Sequence, residues 1–289
     1  MSANPIRDVQ VITTGGGAAH AEHVYGTKKP TVWWVFMSRR WVRLPVNVYL
    51  VEHADGLVLF DTGANPAAAS DRDYWPDPVT ALFARRLFRW DIGPDDALGA
   101  QIDKVGYSPD QVTQAVMSHL HFDHAGGIAD IPNADLYVSA EAWEQMLGPH
   151  PEREMVLRNH LEVLGARWRP IRFQPTTDPD LAPFGESFDV MGDGSITVVP
   201  TPGHLPGSVS MLVRRPQAAP VLMVGDLTYS EQMLLRDQVP ATGDPTILRA
   251  SFAKVRALRE RLPGLIILPA HDPDAAKKLQ SSTLQFAAH

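Results

Sequence analysis

Ser118-His119-Leu120-His121-Phe122-Asp123-His124-Ala125-Gly126-Gly127 packs three imidazoles and a carboxylate into six residues, His119 to His124. So dense a run is a metal-site signature. With Gln114 to Ser118 read as a strand ending there, His119 and His121 lie two residues apart and project to one side, because strand side chains repeat with a period of two. Two imidazoles can then reach one metal. Asp123 and His124 follow in the turn and point elsewhere, which suits a second metal a few ångströms away, as in two-metal hydrolases. Gly126 and Gly127 are expected to let the backbone turn tightly behind the ligands and to open a helix.

Three single residues farther along share one setting, each following an apolar strand in a turn of small residues, where loops present function. His204 lies in Thr201-Pro202-Gly203-His204-Leu205-Pro206-Gly207-Ser208, Asp226 ends Val221-Leu222-Met223-Val224-Gly225-Asp226, and His271 ends Leu265-Ile266-Ile267-Leu268-Pro269-Ala270-His271. Together they complete a count. Two metals of about four to five ligands each need a bridging carboxylate and more histidines than the first run supplies.

The composition narrows the chemistry. The chain has 289 residues and no cysteine, so any metal must be held by histidine and carboxylate, a set that suits zinc and also iron, manganese or cobalt. The net charge of -7 and the lack of a Lys/Arg block exclude the electrostatic footprint of a nucleic-acid binder. Arg39-Arg40 with Arg43, and Arg85-Arg86 with Arg89, are too short to overturn that and read as solvated faces or dimer contacts. No apolar run approaches the ~20 residues of a membrane helix. The start, Met1 to Asp8, lacks the pattern of a secretory signal, so the cytoplasm is the expected location.

Along the chain, Val9 to Thr13 reads as a short first strand ended by Thr14-Gly15-Gly16-Gly17 as a turn or loop. His20 and His23 are expected in a solvated loop. Val32 to Met37, unusually aromatic, is core or the wall of an apolar pocket. Val46–Val51 and Leu57–Phe60 make a hairpin whose second strand runs into Asp61-Thr62-Gly63, where Asp61 is placed to fix a neighbouring loop by accepting hydrogen bonds. Residues 71–91 resist assignment, and their aromatics suit a substrate lid or a subunit interface. Ser108-Pro109-Asp110-Gln111 carries capping-box residues, and Ser139 caps a helix carrying Trp143 and Met146. Pro151 to Leu164 reads as another helix, with His150 and His160 on the surface. Asp244 and Pro245 start a helix to Leu262 whose Leu248, Phe252, Val255 and Leu258 should pack on a sheet. The tail after Asp274 reads as a short helix followed by a frayed end past Ser282. No linker divides the chain, so residues 1–289 are expected to form one domain, with the aromatic 71–91 region as an insertion.

With these residues in place, the chain resembles the metallo-β-lactamase superfamily over roughly Leu44 to Pro273. Leu59-Phe60-Asp61-Thr62-Gly63, the His119–His124 run, Thr201-Pro202-Gly203-His204, Gly225-Asp226 and Ala270-His271 fall in the family's order. The resemblance implies an α/β fold, a four-layered αββα sandwich with two divalent metals at one edge. It implies that His119, His121 and His204 bind the first metal and Asp123, His124 and His271 the second, with Asp226 bridging. The histidine run, Val105-Gly106-Tyr107-Ser108-Pro109-Asp110 before it, and Leu44-Pro45-Val46 look like the N-acyl-homoserine lactonases that destroy bacterial quorum signals. Tyr229 falls where those lactonases carry a catalytic tyrosine. The reaction so implied is hydrolysis of a small lactone by a metal-bridging hydroxide, Tyr229 polarising the carbonyl and Asp123 carrying a proton to the leaving alkoxide. Broader lactonase, esterase or phosphotriesterase activity stays open, as do a non-hydrolytic or redox metal protein and a homodimer.

Overall fold

The computed structural model describes residues 5–215 and 218–286, the side chains of 282–286 excepted. Among the described residues thirteen strands run in chain order: β1 Ile6–His20, β2 Trp41–His53, β3 Gly56–Phe60, β4 Phe88–Asp91, β5 Val112–Val116, β6 Asp135–Ser139, β7 Arg167–Ile171, β8 Gln174–Pro175, β9 Glu186–Asp189, β10 Ile196–Pro200, β11 Val209–Val213, β12 Val221–Gly225 and β13 Ile266–Pro269. They form one sheet in the order β4-β1-β2-β3-β5-β6-β7 and a second in the order β13-β12-β11-β10-β9-β8.

The period-two alternation of the strands sorts side chains into layers. Val58 and Phe60 of β3 face the other sheet and pack in one cluster with Val198, Met211 and Met223, whereas Leu57 and Leu59 face outward. The outward side is covered by Leu98 and Ile102 of helix Leu98–Lys104 and by Ala142 and Met146 of helix Ala140–Leu147. The second sheet is covered in the same way. Leu212, Leu222 and Ile267 pack against Leu248, Phe252, Val255 and Leu258 of the helix Pro245–Arg261. The result is the expected αββα sandwich.

Helix starts follow local chemistry. Asp244 accepts from the backbone N–H of Thr246 and Ile247, and Ser139 accepts from Ala142 N–H, so each satisfies an otherwise orphaned donor. The Ser108 capping box is present but closes only a single 3-10 turn, Pro109–Gln111, before β5.

Several expectations fail for tertiary reasons. The glycine run is not a loop but the centre of β1, where Gly16 and Gly17 pair with Pro45 and Leu44 of β2 on one side and with Asp91 and Trp90 of β4 on the other. A Cβ on Gly16 would lie 2.5 Å from the Leu44 carbonyl oxygen, and one on Gly17 2.5 Å from that of Arg89. Close approach of two strands, not turning, is what these glycines serve. Gly126 likewise serves close approach, its absent Cβ clearing the Asn65 backbone nitrogen, and only a 3-10 turn, Ile128–Asp130, follows. The segment Pro151–Leu164 is not one helix, because Met155 adopts a left-handed conformation (φ 58°) between a 3-10 turn and the short helix Arg158–Leu161. Val32 to Met37 lies in a helix, Thr31–Met37, that buries Trp34 and Val35 and exposes Val32, Trp33, Phe36 and Met37. The C-terminal helix Ala275–Phe286 runs on through Ser281 and Ser282, and the expected loose end beyond residue 286 lies outside the described residues.

Candidate metal centre and its pocket

Every ligand candidate sits just beyond the C-terminal end of a strand, where the backbone leaves the ladder and its side chains are free to converge. His119, His121, Asp123 and His124 follow β5, His204 follows β10, Asp226 follows β12 and His271 follows β13. The structure gathers them into two groups, His119, His121, His204 and Asp226, and Asp123, His124 and His271, with the donor atoms of each group within 4.8 Å of one another. Asp226 faces both. Its Oδ2 is 3.5 Å from His204 Nε2, while its Oδ1 is 3.3 Å from His124 Nε2 and 3.2 Å from His271 Nε2.

The opposite edges of the rings are anchored. Asp61, at the end of β3, accepts from Ser118 N–H at 2.6 Å and Ser118 Oγ–H at 2.9 Å, and faces His124 Nδ1 at 2.9 Å. His271 Nδ1 donates to the Pro45 carbonyl at 2.7 Å, and His119 Nδ1 pairs with Ser118 Oγ at 2.9 Å. Such outer bonds fix ring orientation and aim the remaining nitrogen inward. The loop Asp61 was expected to hold is therefore the histidine run itself.

The charges are tuned by this crowding. Burial, and then the neighbouring His124 and His121, push His119 well below the ordinary imidazole value. Burial likewise draws His121 and His204 down to about 3. Burial also opposes protonation of His124, but the carboxylates of Asp226, Asp61 and Asp123 outweigh it and hold this imidazole well above its usual range. Asp226 is kept ionised by His271 and His124 against its own burial.

The residues fit divalent cations. His124 Nε2 and Asp226 Oδ1 are buried and, although 3.3 Å apart, make no well-aligned hydrogen bond to each other or to any other described residue. His119, His121 and His204, held neutral, and Asp226, held ionised, already have the protonation states that metal coordination requires, whereas the raised His124 and His271 would give up a proton to a bound cation. The donor set, nitrogen and oxygen without sulfur, is that of a divalent metal site.

Above the cluster opens a cavity of about 480 Å³ whose lining includes His121, Asp123, His204, Asp226, Tyr229 and His271. Its upper wall is apolar, built from Leu44, Val46, Phe83, Phe88, Trp90 and Phe122. The 71–91 region thus resolves into helix Pro78–Leu87 and β4, which supply the aromatic wall. Tyr229 is buried, its ring stacked on that of His271 with centroids 5.6 Å apart. Burial, with Asp226 and Asp123 nearby, raises its hydroxyl well above the usual value, so it stays protonated.

His20 and His23 correct the sequence reading, for both are buried rather than solvated. His23 lines the cavity and its Nε2 lies 2.7 Å from the Tyr229 hydroxyl. No sequence signal marks this pair, which is 206 residues apart. His150 stays exposed beside Glu152, and His160 stacks on Tyr74 with centroids 4.0 Å apart and joins neither donor group.

Comparison with known proteins agrees with this architecture. The family model described as the metallo-beta-lactamase superfamily matches residues 41–271. An N-acyl homoserine lactonase AttM of Azorhizobium caulinodans is 30% identical over 236 residues, covering 80% of this chain and 83% of that protein. The N-acyl homoserine lactonase AiiA of Bacillus thuringiensis subsp. kurstaki is 26% identical over 243 residues, covering 82% and 84%. A solved N-acyl homoserine lactone hydrolase, described with the product N-hexanoyl-L-homoserine at its catalytic metal centre, superposes with a TM-score of 0.74 at 23% identity, over 94% of this chain and 96% of that one. With the strand order, the two donor groups and a family match spanning most of its length, the chain belongs to the metallo-beta-lactamase superfamily.

Proposed function

We propose that this protein hydrolyses the lactone ring of N-acyl homoserine lactones, with His119, His121 and His204 serving one divalent cation, Asp123, His124 and His271 a second, and Asp226 both. Zinc suits the donor set best. The observation that carries this reading is the convergence of both donor groups and Tyr229 on the floor of a single cavity with an apolar wall. The names of the AttM and AiiA relatives supply the substrate class.

Divalent cations bound there would supply Lewis acidity and a nucleophile competent at neutral pH. The chain's own residues do the rest. An acyl homoserine lactone is polar at the ring and apolar at the tail, and the cavity is divided in the same sense. Phe83, Phe88 and Trp90 exclude water and take the acyl chain, leaving the ring over the cluster. The protonated Tyr229 hydroxyl donates to the carbonyl oxygen as negative charge gathers on it, an interaction worth ~3 kcal/mol for a well-aimed donor. Asp123 carries a proton to the ring oxygen as the ester C–O bond breaks, so the product leaves as a hydroxy acid.

Tyr229→Phe should keep its metal content and lose about a hundredfold in kcat on N-hexanoyl homoserine lactone. An unchanged rate would remove Tyr229 from the mechanism. Dialysis against a chelator should abolish turnover, and added zinc should restore it.

A further inference from the structure

We infer that His23 is a positioning residue: its imidazole donates Nε2–H to the Tyr229 oxygen and leaves the phenolic proton free to point into the cavity. This rests on the proposed lactonase reading and explains how Tyr229 acquires the donor role assigned to it. A phenol has one O–H to give. At 2.7 Å the His23–Tyr229 contact is a full hydrogen bond, so its direction decides the chemistry. If His23 Nε2 were the acceptor, the Tyr229 proton would be held by the histidine and no donor would face the substrate.

The surroundings select the direction. His23 Nδ1 is buried and has no hydrogen-bond partner among the described residues. The His23 ring packs among aromatic rings, Phe88 edge-on at 5.3 Å and Trp34 at 6.0 Å between centroids. The tautomer protonated at Nδ1 would bury an N–H with nothing to receive it. The tautomer protonated at Nε2 buries only a bare lone pair, and orphaned N–H groups are the rarer and costlier defect. Burial, followed by the nearby His204, depresses His23 to about 4, so the ring is neutral and carries one proton. The backbone is fixed as well, the Ala241 N–H donating to the His23 carbonyl at 3.0 Å and tying His23 to the loop that lines the same cavity.

The test uses the metal-loaded protein and two readouts. Nitrogen-15 NMR of the histidine side chains should show His23 protonated at Nε2, with its resonance displaced in Tyr229→Phe. In steady-state kinetics, His23→Phe should lower kcat on the order of tenfold with KM and metal content little changed. His23→Gln, whose amide nitrogen reaches the place of Nε2, should recover most of that loss. In the Tyr229→Phe background, His23→Phe should cost nothing further. Protonation at Nδ1, or an equal loss with and without the Tyr229 hydroxyl, overturns the inference. Absence of any lactone turnover by the wild type would instead sink the functional reading, and the tautomer measurement would still judge His23.

Discussion

At the residue scale the site depends on atoms that never touch a ligand. Asp61 takes three hydrogen bonds from the histidine run through Ser118 N, Ser118 Oγ and His124 Nδ1. Its backbone is left-handed (φ 65°), a conformation aspartate tolerates better than most residues. Asp61→Ala should weaken metal binding about 10- to 100-fold while the protein stays folded. Competition with a chromophoric chelator measures this, and unaltered affinity would reduce Asp61 to a turn residue. The role of Asp61 in fixing a loop was legible in the sequence only beside the histidine run, since a carboxylate at a strand end before Thr-Gly can equally be an ordinary turn residue. His23 was not, because nothing local distinguishes it from a solvated histidine. Its burial comes from Trp34, Phe88 and Tyr229, three separate parts of the chain.

At the scale of elements, the helix Pro245–Arg261 both closes the second sheet and holds the His204 loop. Ser251 Oγ donates to the Pro202 carbonyl at 2.7 Å and Asp244 N–H to that of Gly203 at 2.8 Å. Phe252 is fully buried in this layer, so Phe252→Ala should cost about 3–5 kcal/mol in denaturant unfolding. The other element of consequence is the pocket wall. Phe83→Ala should raise KM for long-chain acyl homoserine lactones more than for short-chain ones, since each methylene that loses its apolar contact forfeits up to ~0.8 kcal/mol. A uniform change across chain lengths would place the acyl tail elsewhere. This helix was readable from its cap and its stripe, both local signals. The extent of β1 and the break at Met155 were not, because pairing on both sides decides the first and a left-handed residue the second.

For the whole molecule, two sheets bring strand ends distant in sequence to one edge, and the family's motif order made that edge legible before any coordinates. What the motif could not convey is the balance of charge. In the metal-free protein His119, His121 and His204 are depressed, so on unfolding each takes up a proton once the pH is below 6.5, and stability is lost as pH falls from there toward about 3. Asp226, held below 3.8, adds a loss of the same sign at the acid end. His124 and His271 are raised, so their contribution is fully present below 6.5 and is lost only as pH rises above it, outside the window in which the depressed histidines, His23 among them, lose theirs. The Tm of chelator-treated protein should therefore fall on acidification from neutral pH, and a rise would contradict this charge assignment. The substrate is decided by pH-stat hydrolysis with the metal-loaded protein, comparing short- and long-chain N-acyl homoserine lactones with a plain γ-lactone and a phosphotriester. Efficient turnover should be confined to the acyl homoserine lactones; equal or faster cleavage of the plain lactone or the phosphotriester would show that the pocket serves another substrate.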